Sequence, residues 1–242
     1  MDDNEYTLMY QLEKNFWWYK TKRNFIKQFL TLVPTKKKAK ILDIGCGTGL
    51  NVALLSQYGQ TWGIDSSNLA VNYSKKRGLK NIQKADAQKL PFSNNTFNLV
   101  TLFDILYHQN IKSDQAVLKE TFRVIKPGGY LLVTDCALPW LYSPHDTANR
   151  ARQRYYKSEL ENKIEDSGFE IVRSSYSFFL TLPMFIIQRL VSKLIPQKSV
   201  SLDYQLSPLL NRLLLQIGLI ESWLLKRTNL PLGSSIIILA QK

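Results

Sequence analysis

Apolar residues along the chain alternate between two periods. "KILDI" (40–44) is almost continuously apolar and predicts a strand. After Gly49 the spacing of Val52, Leu54 and Leu55 turns helical. The pattern repeats: "TWGID" (61–65) predicts a second strand, Leu69–Arg77 a polar helix, and "NIQKAD" (81–86) a third strand. "FNLVTLF" (97–103) predicts a fourth strand, buried on both faces. Val117, Leu118, Phe122 and Ile125 sit at helical spacing within 113–125. "KPGG" is expected to stop that helix before a fifth strand, "YLLVTDC" (130–136). Strands alternating with helices in this way predict an α/β fold with a doubly wound parallel sheet.

The flanks are less regular. Residues 6–32 read as helical around the aromatic cluster "FWWYKTKRNF", and "PTKKKAK" reads as a charged turn. Beyond 136 come a long irregular stretch, a helix over Lys157–Ser167, a sixth strand "FEIVRSSYSF" (169–178) and a seventh, "SSIIILAQK" (234–242). Between those strands, residues 179–233 are rich in leucine and isoleucine. "FFLTLPMFIIQRLVSKLI" carries Pro183, Arg189 and Lys193, and a charge at mid-bilayer costs roughly 2.5–3.5 kcal/mol, so a membrane span is not expected. "SPLLNRLLLQIGLIESWLLKR" is a second apolar helix, interrupted by Arg212 and Glu221. The pair reads as a lid packed on the domain. Its functional versions are a greasy acceptor pocket or an interfacial membrane contact.

Composition narrows this picture. The 242 residues suffice for one core, and 45% hydrophobic with 21% charged residues excludes global disorder. Two cysteines, Cys46 and Cys136, are too few for a disulfide framework, and the acidic start lacks an apolar signal region. A cytoplasmic protein is expected, with peripheral contact at the inner membrane face as an option. The net charge of +13 is carried as +5 on residues 1–40, +3 on 41–136 and +5 on 137–242. That balance suits an anionic partner or a solvated basic surface.

The chemistry concentrates in "AKILDIGCGTGLN" (39–51), where Gly45, Gly47 and Gly49 follow a strand and precede a helix. Such a turn lets backbone approach a ligand at the carboxyl edge of the sheet, beside free helical N–H groups. Asp65 ends the second strand twenty positions after Gly45, where a carboxylate can accept from ribose hydroxyls. The spacing G-x-G-x-G departs from the dinucleotide pattern G-x-G-x-x-G. Asp43, at the strand end, suits a sulfonium or ammonium better than a pyrophosphate.

Together with "GIDSS", "ADAQKLPF", "FNLVTLFDILYH" and "RVIKPGGYLLVTD", this segment resembles the class I S-adenosylmethionine-dependent methyltransferases over residues 39–136. The resemblance implies a Rossmann-like seven-stranded sheet with the last strand antiparallel, here with an N-terminal helix and a helical insertion between strands six and seven. It implies S-adenosyl-L-methionine as cofactor. Gly45, Cys46 and Gly47, with Gly49 closing the turn, would lie by its methionine portion, and Asp43 would orient the ammonium. Asp65 would hold the ribose, Ser66 would lie beside the adenine, and Asp86 and Ala87 would contact the base. Phe103 would approach the methionine end. The box "FWWYKTKR" looks like the opening of a bacterial subgroup associated with glycan, lipid or secondary-metabolite pathways, whose box commonly begins with histidine where this chain has Phe16. It would place Trp17, Trp18 and Tyr19 over the cofactor, with Arg23 near its carboxylate.

Methyl transfer depends chiefly on in-line positioning and exclusion of water, with a base for an oxygen or nitrogen acceptor. His108, in "DILYHQN", and His145, in "LYSPHDTANR", both follow strands at the carboxyl edge, and His145 beside Asp146 is the more base-like arrangement. No metal site is expected. The expected organisation is one domain: a helical cap (1–38), a cofactor-binding core (39–136), an acceptor loop with helix and strand six (137–178), a helical insertion (179–233) and the final strand (234–242). The expected acceptor is a small-molecule, glycan or lipid-linked compound. Nucleic acid is disfavoured because "FDILYH" lacks the prolines with which amino methyltransferases grip a flipped base, although ribose or carbon methylation of RNA stays open. A cofactor-binding protein without transferase activity is the remaining alternative.

Overall fold

The computed structural model describes residues 3–34, 38–194 and 206–242, with the side chains of 3, 4 and 192–194 left aside. The charged turn expected at 34–40 therefore falls partly outside the described residues, as does the Lys193 side chain.

The core strands are β1 (Lys40–Ile44), β2 (Gln60–Asp65), β3 (Ile82–Lys84), β4 (Phe97–Phe103), β5 (Ile125–Cys136), β6 (Glu170–Ser177) and β7 (Ser235–Gln241). They form one sheet in the order β3-β2-β1-β4-β5-β7-β6. Pairing is parallel from β3 to β5, and β7 runs antiparallel to both its neighbours. The strand order reverses between β1 and β4, which opens a crevice at their carboxyl ends. The sheet is the Rossmann-like, doubly wound one expected, with the last strand antiparallel.

Helices α3 (Leu50–Leu55), α4 (Asn68–Lys76), α5 (Asp114–Val124) and α7 (Lys157–Glu165) connect or flank the strands, and α6 (Pro144–Ala148) is a single short turn in the loop after β5. Alternation along each strand feeds two cores. Leu42, Val100, Leu131 and Ile238 face Val117, Leu118, Leu160 and Ile164 on one side. Ile41, Leu99, Leu132 and Ile237 face Phe25, Ile26, Phe29 and Leu225 on the other.

Two elements differ from expectation. The helical stretch predicted over 6–32 divides into α1 (Asp3–Leu12) and α2 (Trp17–Leu30). The break lies at residues 13–16, where the Glu13 side chain turns inward to pair with Arg77 and the Thr48 hydroxyl instead of facing solvent on a continuous helix. "KPGG" does not precede β5 but lies within it. β4 and β5 pair at Phe97↔Ile125 and again at Leu99↔Tyr130, so the extra residues form a bulge, with Gly128 at φ 74°. The insertion contains α8 (Leu182–Leu194) and α9 (Pro208–Leu225). α9 lies so close to α2 that a Cβ at Gly218 would come within 2.1 Å of the Thr21 hydroxyl. Glu221, one of the charges that break the apolar run of this helix, is buried and accepts from the Phe179 and Leu180 amides at 2.9 and 3.0 Å. It fastens α9 to the chain leaving β6. Among the described residues, no helix is long and apolar enough to cross a membrane.

Candidate active site

The carboxyl ends of β1, β2 and β4 open into a cavity of about 1080 Å³, roofed by α1, α2, α6 and α8. Its floor is the glycine turn. Gly45 and Gly47 both take left-handed backbone, at φ 72° and 53°. A Cβ on Gly45 would stand 2.3 Å from the Ile105 side chain, so neither the conformation nor the space admits another residue there. The Gly45 and Cys46 amides both donate to the Ile64 carbonyl, at 2.8 and 2.9 Å, which pins the turn to β2.

Asp65, at the tip of β2, is the electrostatic centre of this floor. Its Oδ2 accepts from the Gly47 amide at 2.9 Å, and its Oδ1 accepts from the Ser67 amide at 2.9 Å and from the Tyr6 hydroxyl at 3.4 Å. Burial pushes its pKa upward against these donors. Further hydrogen-bond donors from a ligand would satisfy such a carboxylate. Ser66, Asp86, Ala87 and Phe103 also line the cavity, as do Trp18, Tyr19 and Arg23 from α2. Asp86 Oδ1 accepts from the Gln88 amide at 2.8 Å and so shapes the turn it sits on. Trp18 stacks on Phe178 with ring centres 5.6 Å apart, and Arg23 donates to the Glu13 carbonyl at 2.6 Å.

Two of the expected cofactor residues lie elsewhere. Asp43 is buried beneath the cavity, where its carboxylate accepts from the Thr101 hydroxyl of β4 at 2.6 Å. Burial, with Asp65 nearby, raises its pKa to about 7. An ammonium in the cavity would not reach it as directly as the sequence suggests. Gly49 caps α3 in left-handed backbone and faces Ser74 and Leu79. Cys46 lines the cavity and packs with Val52, Val71 and Ile82, and burial pushes its thiol pKa upward.

Both histidines line the cavity. His108 Nδ1 accepts from the Asn110 amide at 3.2 Å, which leaves the ring proton on Nε2. Burial lowers its pKa to about 4. His108 is thus a neutral donor at physiological pH, contrary to its expected use as a base. Asp146 does not have the role expected beside His145. Its Oδ2 accepts from the Ser143 amide and hydroxyl, and its Oδ1 pairs with Arg154 at 2.8 Å. That carboxylate belongs to the capping box that holds α6 in place.

Sequence reasoning missed Tyr6, Glu13, Lys22, Asp104 and Arg154, all of which line the cavity. Asp104 stands at φ 57°, directly after β4, and accepts from the Thr134 hydroxyl at 3.3 Å and from Lys22. The Lys22 ammonium also lies 4.9 Å from the Trp18 ring centre. Polar residues in an aromatic helix were the available signal for Lys22, and a lone acid after an apolar strand was the signal for Asp104.

The comparisons with known proteins converge on this edge of the sheet. A methyltransferase domain model matches residues 42–133, from β1 to the middle of β5. That segment is a methyltransferase domain of the class I, S-adenosylmethionine-dependent type. S-adenosylmethionine is its cofactor. The demethylmenaquinone methyltransferase of Staphylococcus epidermidis is 36% identical over 123 residues, covering 48% of this chain and 50% of that protein. The chain thus matches about half the length of such curated relatives. Among solved structures, a Haloferax volcanii methyltransferase in complex with the Trm112 activator superposes with a TM-score of 0.63 at 15% identity, over 99% of this chain and 93% of that one. Phosphoethanolamine N-methyltransferase 2 of Haemonchus contortus gives 0.61 at 18% identity, over 91% and 52%. At those identities the likeness is one of fold.

The cavity fits this cofactor. Asp65 is a buried acceptor raised by desolvation and faced by backbone donors, and the left-handed turn at Gly45 and Gly47 brings backbone to the cavity lining.

Proposed function

We propose that the protein is a methyltransferase whose acceptor is a small, partly apolar, lipid-linked molecule. One observation carries this reading: a single cavity runs from Asp65 and the glycine turn to Met184, Phe185 and Ile187 of α8. The cofactor edge and an apolar wall thereby share one chamber. The relatives named for menaquinone methylation support an acceptor of this kind.

In this reading Asp65 accepts from the ribose hydroxyls, and Ser66, Asp86 and Ala87 flank the adenine. The Gly45–Gly47 backbone and Phe103 border the methionine portion. Bound there, S-adenosylmethionine supplies a methyl group on a sulfonium that is already a good leaving group. The chain's own task is to position the acceptor and exclude water. Trp18 and Tyr19 close the roof, and Arg23 lends positive charge. Among the two histidines, His145 is the residue we assign to take a proton from an oxygen or nitrogen acceptor. His108, protonated on Nε2, donates a hydrogen bond to it. The segments divide accordingly: the cap at 1–38 roofs the cofactor, residues 39–136 hold it, and 137–178 with 179–233 enclose the acceptor.

The test has two stages. Calorimetry should show binding of S-adenosylmethionine and not of NAD. The protein with methyl-labelled cofactor should then move label into the organic phase of a total cell extract. Label recovered in RNA would favour the nucleic-acid alternative. Binding with no transfer to any fraction would favour a binding protein without transferase activity.

A further inference from the structure

The outward face of α9 presents Leu209, Leu213, Leu219, Ile220 and Trp223 to solvent, with Leu209 79% and Trp223 54% exposed. The opposite face, with Leu214, Gly218, Ser222 and Leu225, packs inward, so the helix is apolar all round. A helix of that kind is ordinarily buried, yet this one lies at the surface. In the same insertion, α8 exposes Ile187, Leu190 and Val191, at the spacing of one helical stripe. Isolated exposed apolar residues need no explanation, but eight on the two helices of one insertion do.

Charge decides what covers this face. α8 has no acidic residue, and the one acid of α9, Glu221, is buried against the Phe179 and Leu180 amides. Arg212 stands among the exposed leucines, and Lys226 and Arg227 follow at the end of α9. The Arg227 guanidinium lies 3.8 Å from the ring centre of Trp223, which pairs a cation with an aromatic at the rim. The whole chain carries +13. An apolar face with basic flanks and, among the described residues of α8 and α9, no exposed acid complements an anionic lipid surface and repels a second copy of equal charge.

We infer that the exposed face of α8 and α9 is a docking surface for an anionic membrane, and that it opens the cavity toward the bilayer. Ile187 and Val191 belong to both: they are exposed on the face and they line the cavity. An acceptor with an apolar tail can pass between them without crossing water. This entry route rests on the methyltransferase reading, whereas the docking itself does not.

Flotation of the full chain, without cofactor, on phosphatidylcholine vesicles and on vesicles containing phosphatidylglycerol reads the docking alone. Binding is expected on the anionic vesicles and should weaken as salt rises. The double variant Leu213→Ser/Ile220→Ser should lose more than tenfold in partitioning, and Arg212→Gln and Arg227→Gln roughly fivefold each on anionic vesicles only. All should keep wild-type affinity for S-adenosylmethionine. Loss of cofactor binding in the wild type would undo the functional reading and leave the flotation result standing. No flotation, equal flotation on neutral vesicles, or an unchanged Leu213→Ser/Ile220→Ser variant would overturn the docking. So would a dimer in gel filtration that this variant dissolves, since a second copy would then cover the face.

Discussion

The Tyr6 hydroxyl and the Ser67 amide share one oxygen of Asp65, at 3.4 and 2.9 Å. The first helix of the chain therefore rests on the carboxylate at the tip of β2, although 59 positions separate the two residues. If Asp65 holds the ribose, Asp65→Ala removes an acceptor from two buried hydroxyls. Cofactor affinity should fall by more than about 1 kcal/mol in calorimetry. Unchanged affinity would take Asp65 out of the site.

The cap is locked from a second point. Glu13 is buried with Arg77 and the Thr48 hydroxyl, and Arg77 Nε donates to the Thr48 carbonyl at 2.7 Å. Glu13→Ala strands a buried guanidinium, a loss of roughly 3 kcal/mol. The effect should appear as faster amide exchange over α1 and weaker cofactor binding, with the exchange of β4 and β5 unchanged. Protection of α1 equal to wild type would show that the cap is held by other contacts.

The histidines should separate in their pH behaviour. His108 is held neutral, with its pKa lowered to about 4 from an ordinary 6.5. Its contribution to stability is full above 6.5 and is lost as pH falls toward 4, a slope that His108→Gln should remove. His108→Gln, which keeps a donor, should retain most turnover between pH 6 and 8. His145→Ala should lower turnover roughly 10²–10⁴-fold with cofactor affinity kept. Full activity in His145→Ala and in the double variant with His108→Gln would leave positioning as the whole mechanism.

Asp43 titrates in the opposite sense. Its pKa is raised from 3.8 to about 7, so the protonated form stabilises the fold. That contribution is complete below pH 3.8 and lost as pH rises through about 7, on the order of 4 kcal/mol in all. Wild type minus Asp43→Asn, measured by urea denaturation at several pH values, should show this decline. A difference independent of pH would place the charge of Asp43 elsewhere.

The cofactor edge was the most legible part of the chain because its signals are local. β1 and β4 fall on near-continuous apolar runs, the glycine turn follows β1 directly, and Asp65 and Phe103 are the last residues of β2 and β4. What escaped depends on distant partners. The bulge at "KPGG" exists because Phe97 and Leu99 pair across it, and nothing within those four residues reveals that. Asp146 looked like a partner for His145, since adjacency in sequence carries no direction. Arg154, eight residues on, claims its carboxylate. Lys22 and Asp104 meet across 82 positions, and neither side chain announces the other.

The insertion leaves from β6 and returns to β7, and these strands lie side by side with Ser177 paired to Ser235. Its two ends are therefore already joined by the sheet, and lengthening or shortening the loop between them changes the cost of closure only slowly. The strands that carry the glycine turn, Asp65 and Asp104 lie outside that loop. The insertion is accordingly a cassette. If it encloses the acceptor as proposed, exchanging the lining that α8 supplies, with the α9 contact to α2 kept, would retarget the enzyme to another acceptor and leave the strands of the methyl-donor half in place.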